Sequence, residues 1–265
     1  MFSLLNNSVR FGVELEGFSP VGTVGVRAGR SFLSSEGLAG WVAKEDGSMS
    51  IGDGTTTRNV EFNSPVLNGS EGMDNVYRVA SLLQDAGYTA NSTCGVHVHI
   101  EGGTLTLTAL KALVLKFAKS SEYWEVLGGR SFTWYCKNLP LTAAFFEDVK
   151  AAKTVAELVR VVNVDRYCAV NLTRLTDPNV PAHAKTVEFR FCCGTFSPEK
   201  VCMLVCMLVA LVEQAKSTKP GTMKADSYTR EMFMKHLNWP GWCVLDVRCR
   251  SMVSGTLKRG LEGVR

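Results

Sequence analysis

The sequence predicts an α+β fold with a mainly antiparallel sheet, helices packed on its outer face and a polar face that lines a cleft. Strand-like and helix-like segments follow one another without a strict βαβ rhythm, and several strands alternate apolar with polar residues. Strands of a buried parallel sheet would instead be apolar on both faces. These two observations favour a sheet with one apolar and one polar face.

The elements follow from periodicity and from turn residues. Strands are predicted at residues 9–16, 41–44, 59–62, 96–100, 169–172 and 186–191. Helices are predicted at residues 70–86, 108–127, 141–150, 154–162, from 197 onward and near 230–237. Residues 17–40 are rich in glycine, and we interpret them as hairpins and loops. The helix that opens at Ser197-Pro198-Glu199 is apolar nearly all round, so we expect it to be buried.

Composition restricts the kind of protein and its partners. The net charge of +4 over 265 residues is too small to indicate a nucleic-acid surface, and it suits an anionic small substrate. The nine cysteines are odd in number and several lie in apolar runs, which favours reduced thiols. The longest apolar run, Val201 to Val212, is shorter than the roughly 20 residues that span a bilayer. We therefore expect a cytoplasmic protein with no nucleic-acid or membrane partner.

Three of the predicted strands each carry a pair of functional side chains at alternate positions. Residues two apart in a strand point to the same face, so each pair would project together while its apolar neighbours face the other way. Side by side, the three strands would form a floor that binds metal ions and phosphate groups. The pairs are Glu14 and Glu16, His97 and His99, and Glu188 and Arg190.

The residue types indicate which ligands such a floor would hold. Carboxylates supply oxygen ligands for Mg²⁺ or Mn²⁺, and histidines with several glutamates suit these ions better than a closed zinc site. Glu188 would be a further metal ligand, and the Arg190 guanidinium would donate to a transferring phosphoryl group. Glu61, at the end of another strand, adds one more carboxylate.

Each pair also has an interpretation without a ligand. The acidic pair could be solvated, the histidine pair could be structural, and the Glu188–Arg190 pair could be a surface ion pair that contributes about 0–1 kcal/mol. Cys94, three residues before His97, allows a Cys–His hydrolase, although no third partner is evident. The chain has no P-loop and no Gly-x-Gly-x-x-Gly after a strand, so metals and a basic cleft would have to hold any nucleotide.

Taken in order, these motifs resemble the carboxylate–amine ligase superfamily that contains glutamine synthetase and glutamate–cysteine ligase, and most closely its amidoligase family. The resemblance covers roughly residues 9–196, and its specificity lies in the ordered set. The helical part, about 197–265, contributes no motif. The matching segments are Phe11-Gly-Val-Glu-Leu-Glu16, Asp46-Gly-Ser-Met49, Glu61-Phe-Asn-Ser-Pro65, Gly95-Val-His-Val-His99, Tyr167-Cys-Ala-Val-Asn-Leu172 and Thr186-Val-Glu-Phe-Arg-Phe191.

The resemblance implies a curved sheet like that of glutamine synthetase, one catalytic domain over residues 1–265, and ATP with Mg²⁺ or Mn²⁺ as cofactors. By analogy, one ion would be shared by Glu14, His97 and Glu188. A second ion would be held by Glu16 and Glu61.

The resemblance also implies the residues that face ATP. His99 and Arg190 would face its phosphates, with Arg166 or Arg174 as a further cation between which the sequence does not choose. Arg130 lies in a segment that would overhang the site, and the stretches 17–40 and 128–140 are candidate lids. The catalytic roles would fall to Glu16, Glu188, Arg190 and Arg130.

The implied activity is ATP-dependent formation of an amide bond through an acyl phosphate. The substrates would be a small-molecule or peptide carboxylate and an amine, whose identities stay open, as does the oligomeric state. Two alternatives remain at this point. One is a metal-dependent hydrolase or phosphotransferase with the same Glu/His site, and the other is a non-catalytic ligase-like binding domain.

Overall fold

The computed structural model describes residues 9–50, 58–129, 136–229 and 231–233 of the chain. The fold is α+β with mainly antiparallel strand pairing, as predicted. The strands are β1 (Arg10–Phe18), β2 (Val42–Lys44), β3 (Asn59–Asn63), β4 (Leu67–Asn68), β5 (Gly95–Glu101), β6 (Val170–Asn171) and β7 (Thr186–Cys193). The helices are α1 (Gly25–Ser35), α2 (Gly69–Asp85), α3 (Leu107–Lys119), α4 (Ser121–Gly128), α5 (Ala143–Ala151), α6 (Val155–Val162) and α7 (Pro198–Ser217).

The chain divides into two compact units. The first comprises Met1–Val98 and Cys192–Val205, and the second comprises His99–Phe191 and Cys206–Arg265. In the first unit the strand order is β2-β3-β1-β5, with β4 paired to β1. In the second unit β7 lies between β5 and β6. The neighbours that the paired motifs require are therefore present: β1 lies beside β5 in the first unit and β5 beside β7 in the second.

A helix occupies part of the glycine-rich stretch in the first unit, where hairpins and loops were predicted, so that prediction was wrong. α1 packs against β2 and β3, and its glycines permit a close approach. A Cβ at Gly25 would lie 2.1 Å from the backbone oxygen of Asn59, and one at Gly29 would lie 2.9 Å from Val60 Cγ2. Glycine here serves a contact between a helix and a sheet, which composition alone does not distinguish from a loop.

The single helix predicted over residues 108–127 is two helices in the second unit. α3 ends at Lys119, and the buried Ser120 separates it from α4. The Ser120 hydroxyl donates to the backbone oxygen of Lys116 at 2.7 Å, and the Ser120 N–H is shared between the oxygens of Lys116 at 3.2 Å and Phe117 at 3.1 Å. Such shared bonds are common at helix ends. The apolar periodicity continues through the break, as the stacking of Phe117 on Trp124 at 5.6 Å shows, so periodicity alone did not reveal it.

The remaining predicted elements occur close to their expected places. α7 is buried at every position from Val201 to Val212, as its all-round apolar pattern predicted. No helix within the described ranges has the length and apolar character needed to cross a membrane. The helix predicted near residues 230–237 lies outside the described residues, except for 231–233, which are helical.

Candidate functional site

β1 presents its two glutamates on the face opposite its apolar side chains. Val13 and Leu15 are buried, and the alternate positions carry Glu14 and Glu16. The pairing of β1 with β3 places Glu16 directly opposite Glu61. Like charges in a cross-strand pair repel each other, so this pairing costs stability unless a proton or a cation compensates for it.

Glu16 is the most deeply buried carboxylate of the first unit's site, with 5% of its surface exposed. Its Oε2 accepts a hydrogen bond from the Gly95 backbone N–H at 2.5 Å, and its Oε1 lies 3.5 Å from His97 Nε2. Burial raises the pKa of Glu16 from its ordinary 4.5 to about 7, although the nearby His97 acts in the opposite direction. A buried carboxylate with this pKa gains from a nearby cation near neutral pH.

His97 lies between the two glutamates of β1. It is buried on β5, with Nδ1 2.9 Å from Glu14 Oε2 and Nε2 facing Glu16. A side chain at Gly95 would place its Cβ 2.9 Å from His97 Nε2, which explains why glycine stands there. In this arrangement His97 fixes the positions of both carboxylates. Its role as a metal ligand stays a prediction.

Glu61, like Glu16, has a raised pKa. Burial, followed by the negative charge of Glu14, raises the pKa of Glu61. Asn63 Nδ2 donates to Glu61 Oε1, and Lys44 Nζ donates to Asn63 Oδ1 at 3.2 Å. These two hydrogen bonds therefore hold the Glu61 side chain in place on its face of β3.

Asp46 completes this set, although no role for it follows from the sequence pattern. It lies in the turn between β2 and β3, where its Oδ1 accepts a hydrogen bond from the Ser48 N–H at 2.8 Å. One ligand oxygen from each of Asp46, Glu16 and Glu61 can be chosen so that all lie within 4.8 Å of one another. The Asp46-Gly47 turn was the signal in the sequence, but a turn motif does not say which strand its carboxylate will face.

The donor set of the first unit fits a hard divalent cation. Three carboxylates converge, and Mg²⁺ and Mn²⁺ prefer such oxygen ligands. The pKa values of Glu16 and Glu61 are raised for the same reason. Both carboxylates are buried, so neither water nor a nearby positive charge fully stabilises their ionised forms. Glu16, Asp46 and Glu61 could therefore hold the ion.

In the second unit, Glu188 is buried on β7 and held from two sides. Its Oε2 accepts a hydrogen bond from Asn171 Nδ2 at 2.8 Å, and its Oε1 pairs with Arg190 Nη1. The amide of Asn171 is itself oriented, since its Oδ1 accepts from the Thr173 N–H at 3.0 Å and from the Thr173 hydroxyl at 2.8 Å. Glu188 and Arg190 thus project together from one strand, in the arrangement that their spacing predicted.

The other predicted phosphate-binding residues have distinct surroundings in the second unit. His99 Nδ1 lies 3.2 Å from Thr186 Oγ1. Arg166 is exposed, with its guanidinium carbon 5.2 Å from the centre of the neighbouring Tyr167 ring, and Arg174 is exposed on a 3₁₀ turn. Arg130 lies outside the described residues. The roles of these residues toward ATP stay predictions.

The cysteines do not favour a thiol nucleophile. Burial raises the pKa of the Cys94 thiol to about 11, whereas a nucleophilic cysteine needs its thiolate near neutral pH. This disfavours the Cys–His hydrolase. The described cysteines are buried at six of seven positions, which are Cys94, Cys136, Cys168, Cys192, Cys202 and Cys206.

Comparison with known proteins identifies the family of this chain. A search of curated proteins finds no match. A solved structure described as "Crystal structure of novel glutamine synthase homolog" matches with 13% sequence identity and a TM-score of 0.42. That match covers 96% of this chain but 63% of the other, so this chain spans less than two thirds of that protein's length. Residues 26–212, well over half of the chain, match the family described as "Putative amidoligase enzyme". The chain belongs to this amidoligase family.

Proposed function

We propose that this chain is an ATP-dependent carboxylate–amine ligase that forms an amide through an acyl phosphate, with Mg²⁺ or Mn²⁺ as its metal. The observation that carries this proposal is the convergence of Glu16, Asp46 and Glu61, whose ligand oxygens lie within 4.8 Å of one another. Family membership supports an enzyme of the ligase class. The substrates would be a small-molecule or peptide carboxylic acid and an amine.

The residues of the first unit would bind the cation. Glu16, Asp46 and Glu61 would supply carboxylate oxygens, and Glu14 and His97 remain proposed ligands. When bound, a divalent ion would neutralise part of the negative charge on the ATP phosphates. The hydrogen bond from the Gly95 N–H and the contact with His97 keep Glu16 oriented before the ion arrives.

The residues of the second unit would act on the phosphates. Arg190 would donate hydrogen bonds to the transferring phosphoryl group, with its guanidinium oriented by Glu188. Asn171 holds Glu188 in place, so this orientation does not depend on the substrate. His99, Arg166, Arg174 and Arg130 remain proposed contributors on this side.

The reaction would proceed by two displacements. An oxygen of the substrate carboxylate would attack the γ-phosphorus of ATP, forming an acyl phosphate and releasing ADP. The amine nitrogen would then attack the acyl carbon, so that phosphate leaves and the amine loses a proton. Water must be excluded during this step because it would hydrolyse the acyl phosphate.

A thermal-shift titration with Mn²⁺ or Mg²⁺ and ATP tests the nucleotide site. A ligand at 100 times its dissociation constant stabilises the folded state by about 2.7 kcal/mol, so ATP with metal should raise the melting temperature visibly. Glu188→Gln should lose this shift because it removes a charge that orients Arg190. Glu14→Gln should lose it as well, since Glu14 is a proposed metal ligand.

Glu122→Gln is the matched control, since Glu122 is exposed on α4, and it should keep the full shift. Melting without ligand and the far-ultraviolet circular dichroism spectrum show whether each variant folds. An unchanged ATP-dependent shift in both Glu188→Gln and Glu14→Gln would contradict the assignment of these residues. A stabilised wild type that hydrolyses ATP without joining an acid to an amine would favour the metal-dependent hydrolase instead.

A further inference from the structure

Asn59 connects the turn that carries Asp46 to the strand that carries Glu61. It is the first residue of β3 and is buried, with 3% of its surface exposed. Its Nδ2 group donates to the backbone oxygen of Asp46 at 3.0 Å and to that of Met49 at 2.8 Å. Asn59 and Glu61 are two residues apart in the same strand and so lie on the same face of the sheet.

The orientation of the Asn59 amide is determined by these two contacts. Its Oδ1 has no hydrogen-bond partner within the described ranges, so all of the side chain's bonds come from its NH₂ group. Rotating the amide by half a turn would place Oδ1 against two carbonyl oxygens and leave both carbonyls without this donor. The side chain therefore acts only as a clamp on the turn.

The clamp acts on the part of the turn that faces the cation-binding carboxylates. Asp46 accepts from Ser48 within the turn, so its carboxylate and its backbone oxygen are held from two directions. The far end of the same segment has a separate anchor, because Asn91 Nδ2 donates to the Ser50 oxygen at 2.8 Å. The two anchors can therefore be removed separately.

We propose that Asn59 is a positioning residue for the divalent cation, because its amide holds the Asp46 carboxylate within ligand distance of Glu16 and Glu61. This inference rests on the proposed function, since it takes these carboxylates as the ion's ligands. Asn59 itself does not touch the ion. It acts through the backbone of Asp46, as residues outside the ligand set commonly orient the ligands themselves.

Mn²⁺ binding to the 265-residue chain tests this role without any substrate. The dissociation constant is measured from the electron paramagnetic resonance signal of free Mn²⁺ for the wild type, Asn59→Ala, Asp46→Asn and the double variant. Loss of a residue that orients metal ligands typically weakens binding about 10–100-fold. We expect this loss for Asn59→Ala in the wild-type background and less than a twofold further loss in the Asp46→Asn background, because the clamp would then have no ligand to position.

Asn91→Ala is the matched control. It removes a hydrogen bond of the same kind at Ser50, together with the bonds that Asn91 Oδ1 accepts from the Thr93 N–H and hydroxyl. We expect it to leave Mn²⁺ affinity within about twofold. Should Asn59→Ala fail to fold, Asn59→Leu, which has a similar volume but no donor, is measured in its place with the same criteria.

The outcomes separate this inference from the function on which it rests. Unchanged Mn²⁺ affinity in Asn59→Ala, or an equal loss in both backgrounds, would overturn the positioning role while leaving the cation site intact. Absence of Mn²⁺ binding to the wild type would overturn the cation site and with it both proposals.

Discussion

Among individual residues, Lys116 shows how burial lowers the pKa of a lysine that has no proposed role in the site. It lies on α3 with 4% of its surface exposed, and its Nζ donates to Gln214 Oε1 at 3.3 Å. It borders a cavity of about 10 Å³ that Trp124 and Phe233 also line. Because burial disfavours the charged form, the pKa of Lys116 falls from its ordinary 10.5 to about 8.

Replacing Lys116 with methionine should therefore change how stability depends on pH. Below pH 8 the lysine is charged in both the folded and the unfolded chain, so the folded state bears the full cost of burying the charge. Between pH 8 and 10.5 the folded chain loses this proton before the unfolded chain does, so wild-type stability rises with pH in that window. Lys116→Met should exceed the wild type at pH 7 by at most roughly 3 kcal/mol, since one pKa unit corresponds to about 1.4 kcal/mol.

Urea unfolding at a series of pH values measures this difference. The advantage of Lys116→Met should narrow between pH 8 and 10.5. Lys219→Met, at an exposed lysine, should run parallel to the wild type over the whole range. A constant difference between Lys116→Met and the wild type would show that the charge of Lys116 is not penalised in the folded state.

At the scale of elements, the contact between α1 and the sheet depends on glycine. Gly25→Ala would place a Cβ 2.1 Å from the Asn59 backbone oxygen, and a backbone atom cannot rotate away as a side chain can. Overpacking of this kind typically costs about 1–3 kcal/mol, so the urea midpoint of Gly25→Ala should fall by a corresponding amount.

Gly221→Ala is the control, because a Cβ there meets no atom within 4 Å. It should match the wild type or exceed it slightly, since alanine restricts the unfolded chain more than glycine does. Equal midpoints for Gly25→Ala and the wild type would mean that α1 does not pack closely on β3.

The same elements show which parts of the fold and the site could be predicted from the sequence and which could not. The strands that carry the paired motifs were predictable, because alternation of apolar and polar residues is a local property that fixes which side chains share a face. α1 was not, since Gly25 and Gly29 resemble loop residues until their partner strand is known. A role for Asp46 as a metal ligand was not predictable for a similar reason. Its carboxylate lies near Glu16 and Glu61 only because β1 pairs with β3 and because Asn59 holds the Asp46 backbone.

At the scale of the whole molecule, the family match and the site cover different parts of the chain. The match begins at residue 26 and ends at 212, so it includes His97, His99 and the Glu188–Arg190 pair but not β1 with Glu14 and Glu16. The carboxylates of β1 are therefore assigned to the site by their geometry, as the partners of Glu61 and His97. We propose that all of these residues serve the formation of an acyl phosphate.

Hydroxylamine traps an acyl phosphate as an acyl hydroxamate and therefore tests this proposal. The protein is incubated with ATP, Mg²⁺ or Mn²⁺, pools of carboxylic acids and hydroxylamine, and both ADP and acyl hydroxamate are measured. We predict equal amounts of ADP and hydroxamate with a suitable acid pool, and neither product above background in Glu188→Gln. Release of ADP and phosphate by the wild type without hydroxamate in any pool would contradict the ligase assignment.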